Sequence, residues 1–126
     1  MMELDQSGDR PIYIVLAEWI EDSILSGIWP EGSQIPSVAE MSAHFRINHV
    51  TALRGVSILA DRGMLYKKRG IGMFVAEGAA ELIKKERREE FYERYIRTAI
   101  EEAKKLGITE DDIIRMIGRD RHETDA

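Results

Sequence analysis

The first part of the chain carries apolar residues at steps of three and four, the spacing of an amphipathic helix. Pro11 opens this segment, at a position where the missing backbone N–H of proline costs nothing. The apolar residues fall on one face of a helix predicted to extend to Gly27, and they are Ile12, Leu16, Trp19, Ile20 and Ile24. Pro30 and Gly32 then predict a turn over residues 29–32.

Two shorter helices are predicted after this turn. Ser37 and Glu40 have the spacing of a capping box, so a second helix is expected from there to about Phe45. A short link leads to Asn48, which is a favourable N-cap for a third helix that reaches about Arg62. Small and apolar residues are expected on the inward face of the third helix, namely Ala52, Gly55, Val56 and Leu59.

A β-hairpin and a long helix are predicted next. Two β-prone runs, 64–69 and 73–76, flank a turn that contains Gly70 and Gly72, and this arrangement is typical of a hairpin. Residues 79–106 are rich in Glu, Lys, Arg and Ala and contain neither proline nor glycine, so a long helix is expected there.

A last helix is predicted after Gly107, which stops the long one. Thr109 caps it, and Asp111 and Asp112 lie near its positive end. The predicted fold class is therefore mainly α with a small β-hairpin. Four segments are expected: a disordered tail over 1–10, a three-helix domain with the hairpin over 11–76, a two-helix segment over 77–118, and a disordered tail over 119–126.

The composition excludes several kinds of site. The chain has no cysteine, which excludes disulfides, thiolate metal sites and cysteine nucleophiles, and fits a cytoplasmic location. No uncharged stretch is long enough to cross a bilayer, and the acidic, polar start is not a secretory signal. The three histidines lack metal-ligand spacing and no nucleophile–base pair is present, so no metal, cofactor or enzyme activity is predicted.

The distribution of charge favours DNA as a partner for the middle of the chain. The net charge is −5, yet residues 41–76 contain six basic residues and one acidic residue. Two short helices joined by a short link and followed by a basic hairpin form a winged helix-turn-helix. In this motif the second helix enters the major groove of double-stranded DNA.

Three groups of residues are predicted to contact the duplex. The N-terminal turn of the third helix can reach base edges with Asn48, His49, Val50 and Thr51. The capped start of the second helix, at Ser37, can hold a phosphate. The hairpin can bring basic residues and glycines beside the backbone or the minor groove, and these are Lys67, Lys68, Arg69, Gly70 and Gly72.

Residues 11–75 resemble the DNA-binding domain of the GntR (gluconate repressor) family of bacterial regulators. The matching pieces, in chain order, are Pro11-Ile12-Tyr13, Gly27, Pro30-Glu31-Gly32, Ile35-Pro36-Ser37, Asn48, Thr51, Arg54, Leu59, Gly63 and Gly70-Ile71-Gly72-Met73-Phe74-Val75. The resemblance implies roles in DNA binding for Ser37, Thr51, Arg54 and Gly72. The short remainder of the chain resembles the YtrA-like subgroup of this family, whose C-terminal helices serve dimerisation.

Three positions depart from the pattern of the family. Ala39 stands where the family usually has an arginine, Val50 where it usually has a polar residue, and Leu53 where it often has a basic one. Each lost arginine removes a possible base or phosphate contact, worth roughly 1–3 kcal/mol for a good base pair. We therefore expect an unusual operator, or weaker and more salt-sensitive binding.

An apolar stripe on the C-terminal helices predicts a homodimer, because these helices are too short to form a core of their own. A two-fold dimer predicts a palindromic operator, with half-sites spaced by whole helical turns of about 10 base pairs. The expected interface residues are Tyr92, Tyr95, Ile96, Ala99, Ala103, Leu106, Ile113, Ile114 and Ile117. The predicted function is that of a transcription regulator acting as a repressor, and a small-molecule effector is left open.

One alternative from another class stays open at this point. The missing arginines and the acidic net charge also fit a winged-helix module that binds proteins and has weak or no DNA binding. DNA binding at low salt distinguishes the two functions.

Overall fold

The computed structural model describes Leu4 and residues 8–125, with side chains as far as Arg121. Its elements are α1 (Ile12–Leu25), α2 (Val38–Phe45), α3 (His49–Asp61), β1 (Leu65–Lys68), β2 (Gly72–Val75), α4 (Ala79–Phe91), a π-helical turn (Tyr92–Ile96), α5 (Arg97–Leu106) and α6 (Glu110–Asp125). The predicted class, mainly α with a small β-hairpin, is confirmed. None of the described helices has the length and apolar character needed to cross a membrane.

The chain divides into two compact units, Met1–Glu86 and Arg87–Ala126, here called the N-terminal and C-terminal units. The core of the N-terminal unit forms where α1 crosses α3. Leu16, Ile20 and Leu59 are fully buried there. The predicted inward face of α3 is confirmed, since all four of its residues are buried.

Gly55 allows α1 and α3 to approach closely. A Cβ atom at this position would lie 3.0 Å from the carbonyl oxygen of Tyr13 and 3.1 Å from Cδ2 of Leu16. Aromatic contacts hold α2 against the same core, because Trp19 meets Phe45 edge to face with 4.9 Å between ring centroids. Trp29 also packs against Trp19 in an edge-to-face arrangement, with 5.1 Å between ring centroids.

A tight turn joins α2 to α3, and Ser42 closes it with two kinds of hydrogen bond. The Ser42 hydroxyl donates to the carbonyl of Ile47 at 2.6 Å, and the N–H of Ile47 donates to the carbonyl of Ser42 at 3.1 Å. Arg46 lies between them with a φ of 55°, in the left-handed region. The helix-turn-helix is therefore closed by contacts within the turn itself.

The hairpin pairs β1 with β2 in antiparallel register, with Tyr66 opposite Phe74 and Lys68 opposite Gly72. The structure adds a third extended segment that the apolar pattern did not indicate. Residues 32–35 lie along the free edge of β2, where the N–H of Ile35 donates to the carbonyl of Met73 at 3.0 Å. Gln34 pairs with Phe74 as an isolated bridge.

The helices after the hairpin follow the prediction for most of their length. The expected long helix is present as α4, the π-helical turn and α5, and Gly107 ends it. Thr109 caps α6, because its hydroxyl accepts from the N–H of Asp112 at 3.1 Å and its own N–H donates to Asp112 Oδ2 at 2.9 Å. Ile83 on α4 is fully buried, so the core of the N-terminal unit reaches past the expected boundary at residue 77.

The two predicted tails differ from the expectation where the structure describes them. Leu4 is only 8% exposed and belongs to the core, although the segment 1–10 was expected to be a disordered tail. Residues 1–3 and 5–7 lie outside the described part of the chain, as does residue 126. At the other end, α6 continues to Asp125, because no proline interrupts residues 119–125 and their charged side chains are compatible with helix.

Candidate nucleic-acid interface

The N-terminus of α2 has the capping box that its sequence predicts. The Ser37 hydroxyl accepts from the N–H of Glu40 at 3.0 Å, and Glu40 Oε1 accepts from the N–H of Ser37 at 3.1 Å. The first N–H groups of a helix have no carbonyl partner within it, so this end carries a partial positive charge. Ser37 is exposed, which leaves this end of α2 accessible to an anion.

The N-terminus of α3 presents a short row of exposed side chains. Asn48 is the N-cap, and its side-chain oxygen accepts from the N–H of Val50 at 2.8 Å. His49 and Val50 are exposed, whereas Thr51 is half-buried. The cap occupies the Asn48 carbonyl oxygen, so the Asn48 amide group would meet a base edge mainly as a donor.

Arg54 lies one turn further along α3 and is held by an aromatic ring. Its guanidinium Cζ is 3.9 Å from the centroid of the Tyr13 ring on α1. A cation over an aromatic face is attracted by the electron density of the ring. Tyr13 therefore positions Arg54, a role that the sequence did not indicate although Tyr13 lies in the family pattern.

The hairpin, here called the wing (residues 64–76), separates its two lysines. Lys68 lies on the same face as Tyr66 and Phe74, with Nζ 4.3 Å from the Phe74 centroid. Lys67 lies on the opposite face, across from Met73, because side chains alternate along a strand. Both lysines are exposed, but a DNA duplex lying against one face of the wing would not be contacted by Lys67 and Lys68 from the same side.

The tip of the wing is a tight turn that exposes Arg69 and Ile71. The N–H of Ile71 donates to the carbonyl of Lys68 at 2.9 Å, and Gly70 has a φ of 77°. This φ at the third residue of a turn is favoured by glycine. The tip thus depends on Gly70 for its conformation, and the side chain of Arg69 projects from it.

Gln34 contacts the wing, although the sequence did not predict this contact. Its Nε2 donates to the carbonyl of Ile71 at 3.1 Å, and a Cβ atom at Gly72 would lie 2.6 Å from the same nitrogen. Gly72, predicted to allow a close approach to DNA, also has a φ of 149°, which favours glycine independently of any contact with DNA. The only available signal was the short run of residues 33–35 between two turn residues, which is weak.

Of the six basic residues in residues 41–76, Arg62 differs from the other five because it forms ion pairs with acidic residues of the N-terminal unit. Arg62 forms ion pairs with Glu21, at 3.6 Å, and with Glu86, and Glu21 is itself buried. The other five are exposed, and they are Arg46, Arg54, Lys67, Lys68 and Arg69. Positive charge thus concentrates on the turn before α3, on α3 and on the wing.

Most of the residues predicted for a dimer interface are exposed in the C-terminal unit of this single chain. Tyr92, Tyr95, Leu106 and Ile117 are each more than half exposed. Ala103 is an exception, because it is only 6% exposed in the single chain, and its place in the interface stays a prediction. The remaining predicted positions are exposed or half-buried, namely Ile96, Ala99, Ile113 and Ile114.

Comparison with known proteins identifies relatives for this arrangement. The sequence profile of bacterial regulatory proteins of the gntR family matches residues 13–75. The histidine utilization repressor of Klebsiella aerogenes is 38% identical over 72 residues, which form 57% of this chain and 30% of that repressor. The chain therefore spans about 30% of the length of that curated relative.

Solved structures share the fold. A GntR-family transcriptional regulator from Bacteroides thetaiotaomicron is 34% identical with a TM-score of 0.71, over 90% of this chain and 98% of that one. The DNA-binding domain of AraR, solved in complex with operator ORX1, is 28% identical with a TM-score of 0.55. That likeness covers 60% of this chain and 96% of the AraR domain.

Proposed function

Since the chain belongs to the GntR family of bacterial regulatory proteins, we propose that it is a transcription repressor that binds a palindromic operator as a homodimer. In this proposal α3 enters the major groove and the wing lies beside the minor groove. Ser37 at the start of α2 holds a phosphate through its hydroxyl and the neighbouring N–H groups. His49, Thr51 and Arg54 face the base edges or the adjacent backbone.

The observation that carries the proposal is the exposure of one face of α3 beside concentrated positive charge. The opposite face of this helix is buried against α1, so its exposed face is held towards the solvent. The AraR domain, which was solved with operator DNA, shares this fold at 28% identity. Phosphate contacts by exposed cations supply most of the affinity of such proteins, and base contacts supply specificity.

The homodimer is supported by the exposed apolar side chains of the C-terminal unit. Fourteen large hydrophobic residues are exposed among the described residues, and most of them belong to residues 91–117. Exposed apolar surface of this kind is typical of an interaction site. The resemblance to the YtrA-like subgroup, whose C-terminal helices serve dimerisation, supports a second copy of this chain as the partner.

A second candidate function is a protein-interaction module that has lost DNA binding. The exposed apolar residues Val50 and Leu53 on α3 favour it, because such residues occur at protein interfaces. The two functions differ in their response to salt. Binding to a duplex through phosphates weakens steeply as salt increases, whereas binding through an apolar patch does not.

A selection experiment tests the proposed function. The protein is incubated with a randomised duplex pool at about 50 mM salt, a low-salt condition for protein–DNA binding, and the enriched sequences are examined for an inverted repeat. Arg54→Ala should weaken binding to the selected duplex about tenfold or more. Lys84→Ala, which removes an exposed cation of α4 outside the proposed interface, should leave the Kd unchanged.

The oligomeric state is measured separately by light scattering on a sizing column. The full chain should elute as a dimer. Tyr95 is 54% exposed and belongs to the predicted interface, so Tyr95→Asp would place a charge there and should shift the chain towards the monomer. Enrichment of no sequence at low salt contradicts the repressor function. A monomeric wild-type protein contradicts the palindromic operator while leaving DNA binding possible.

A further inference from the structure

Two aliphatic side chains stand on the solvent face of α3. Val50 is 69% exposed and Leu53 is 46% exposed. By contrast, Val56 and Leu59, which lie on the inward face of α3, are almost completely buried. Residues three apart lie on the same side of a helix, so Val50 and Leu53 form one small apolar patch. The patch is not needed for the core, which is closed without it.

The surroundings of the patch indicate what it contacts. His49 and Arg54 are exposed on the same helix, and Arg46 is exposed in the turn before it. A stable protein interface requires about 800 Å² from each partner, which two side chains do not supply. Exposed positive charge around a small apolar patch instead complements a polyanion that presents an apolar group to the patch.

Base edges in the major groove offer one such group, the 5-methyl of thymine. Resting on the proposed function, in which α3 enters this groove, we propose that Val50 and Leu53 recognise thymine methyl groups and so determine specificity. The two residues then favour thymine over cytosine through the methyl group, where an arginine would favour guanine. Val50 and Leu53 would thus contact bases through apolar groups, at positions where the family usually has a polar or a basic residue.

The test removes the methyl groups and changes nothing else in the DNA. A duplex selected by the wild-type protein is compared with the same duplex in which every thymine is replaced by deoxyuridine, which keeps base pairing. The Kd of the wild type should rise by about fourfold for each methyl group contacted, the factor expected for burying one such group. The double variant Val50→Ser/Leu53→Ser, which leaves no side-chain methyl group at either position, should bind both duplexes with the same Kd.

A matched control removes an exposed aliphatic side chain elsewhere. Ile28→Ala, in the loop after α1, should retain the ratio of the two Kd values found for the wild type, since Ile28 is 68% exposed and lies outside α3 and the wing. Circular dichroism melts of each variant check that it is folded. Because Val50 and Leu53 are exposed, their replacement is not expected to unfold the protein.

The outcomes separate this inference from the proposed function. Equal Kd values of the wild type for the two duplexes overturn the recognition of thymine methyls, while DNA binding through α3 stands. A double variant that retains the wild-type ratio overturns it as well, because other residues then contact the methyl groups. If the wild type selects no duplex at low salt, both the proposed function and this inference are overturned.

Discussion

The guanidinium of Arg54 on α3 lies over the ring of Tyr13 on α1, with 3.9 Å between Cζ and the ring centroid. The same stretch of α1 provides the carbonyl that Gly55 approaches most closely. The close packing of the two helices therefore also sets the position of an exposed cation. Tyr13 connects the core of the N-terminal unit to the proposed DNA-contacting residues.

Replacing Tyr13 by leucine should remove the ring and release Arg54. A cation–π contact at an exposed site contributes about 0.5–1 kcal/mol, so the free energy of unfolding should fall by about that amount. Binding to a selected duplex should weaken severalfold, because Arg54 loses its fixed orientation. Urea unfolding and fluorescence anisotropy measure the two effects, and Tyr13→Phe, which keeps the ring, should change neither. Equal effects of both variants would show that the hydroxyl of Tyr13 is important instead.

Gly72→Ala should destabilise the wing more than Gly70→Ala. Both glycines have positive φ values, 149° and 77°, but only a Cβ at Gly72 would meet another atom, Nε2 of Gln34 at 2.6 Å. Strained backbone costs about 1–3 kcal/mol per residue, and at Gly72 an added methyl group would also displace Gln34 Nε2 from its hydrogen bond with the carbonyl of Ile71. Thermal melts of the two single variants give the difference.

The double variant Gln34→Ala/Gly72→Ala isolates the clash from the backbone strain. The loss of unfolding free energy in the double variant should be smaller than the sum of the losses in the two single variants, with a coupling energy of about 0.5–3 kcal/mol. Additive effects would mean that the Gln34 side chain moves away from an added methyl group without cost.

Arg46→Gly should raise the stability of the N-terminal unit. Arg46 adopts a φ of 55°, and this region costs a residue with a Cβ about 1–2 kcal/mol relative to glycine. Arg46→Ala retains the strain and should show no gain in urea unfolding, which makes it the matched control. Both variants lose a positive charge beside α3, so both should bind a duplex more weakly and with a smaller dependence on salt.

Acid should weaken the start of α6 through Asp112. The backbone N–H of Thr109, then the Thr109 side chain and Arg115, hold the pKa of the Asp112 carboxyl below its usual value of 3.8. A lowered pKa in the folded state stabilises the fold above pH 3.8, and this contribution is lost as the pH falls through the folded pKa. An NMR titration of the side-chain carboxyl carbon should therefore give a midpoint below that of an unfolded peptide. Thr109→Ala should return the midpoint towards 3.8.

Much of the N-terminal unit could be predicted from local patterns. The capping box at Ser37, the N-cap at Asn48 and the buried face of α3 follow from spacings that act within one helix. The hairpin followed from two β-prone runs around glycines. These features have local physical causes, so a single sequence carries them.

The contacts that assemble the candidate interface are not local and could not be predicted in this way. Gln34 reaches the carbonyl of Ile71 across 37 positions of sequence. Arg46 occupies a backbone conformation more typical of glycine, which no spacing indicates. The division of Lys67 and Lys68 between opposite faces required the register of the strands, and the DNA-binding role of each residue stays a prediction.

Hydrogen bonds between Ser42 and Ile47 close the turn between α2 and α3, so the position of α3 is fixed by contacts within the chain and does not depend on a duplex. Partners that need no rearrangement associate at rates governed by diffusion and charge. The association rate constant should therefore fall as ionic strength rises. Mutations on α3 should change mainly the dissociation rate constant. Residence time on the operator, rather than speed of arrival, would then distinguish one operator sequence from another.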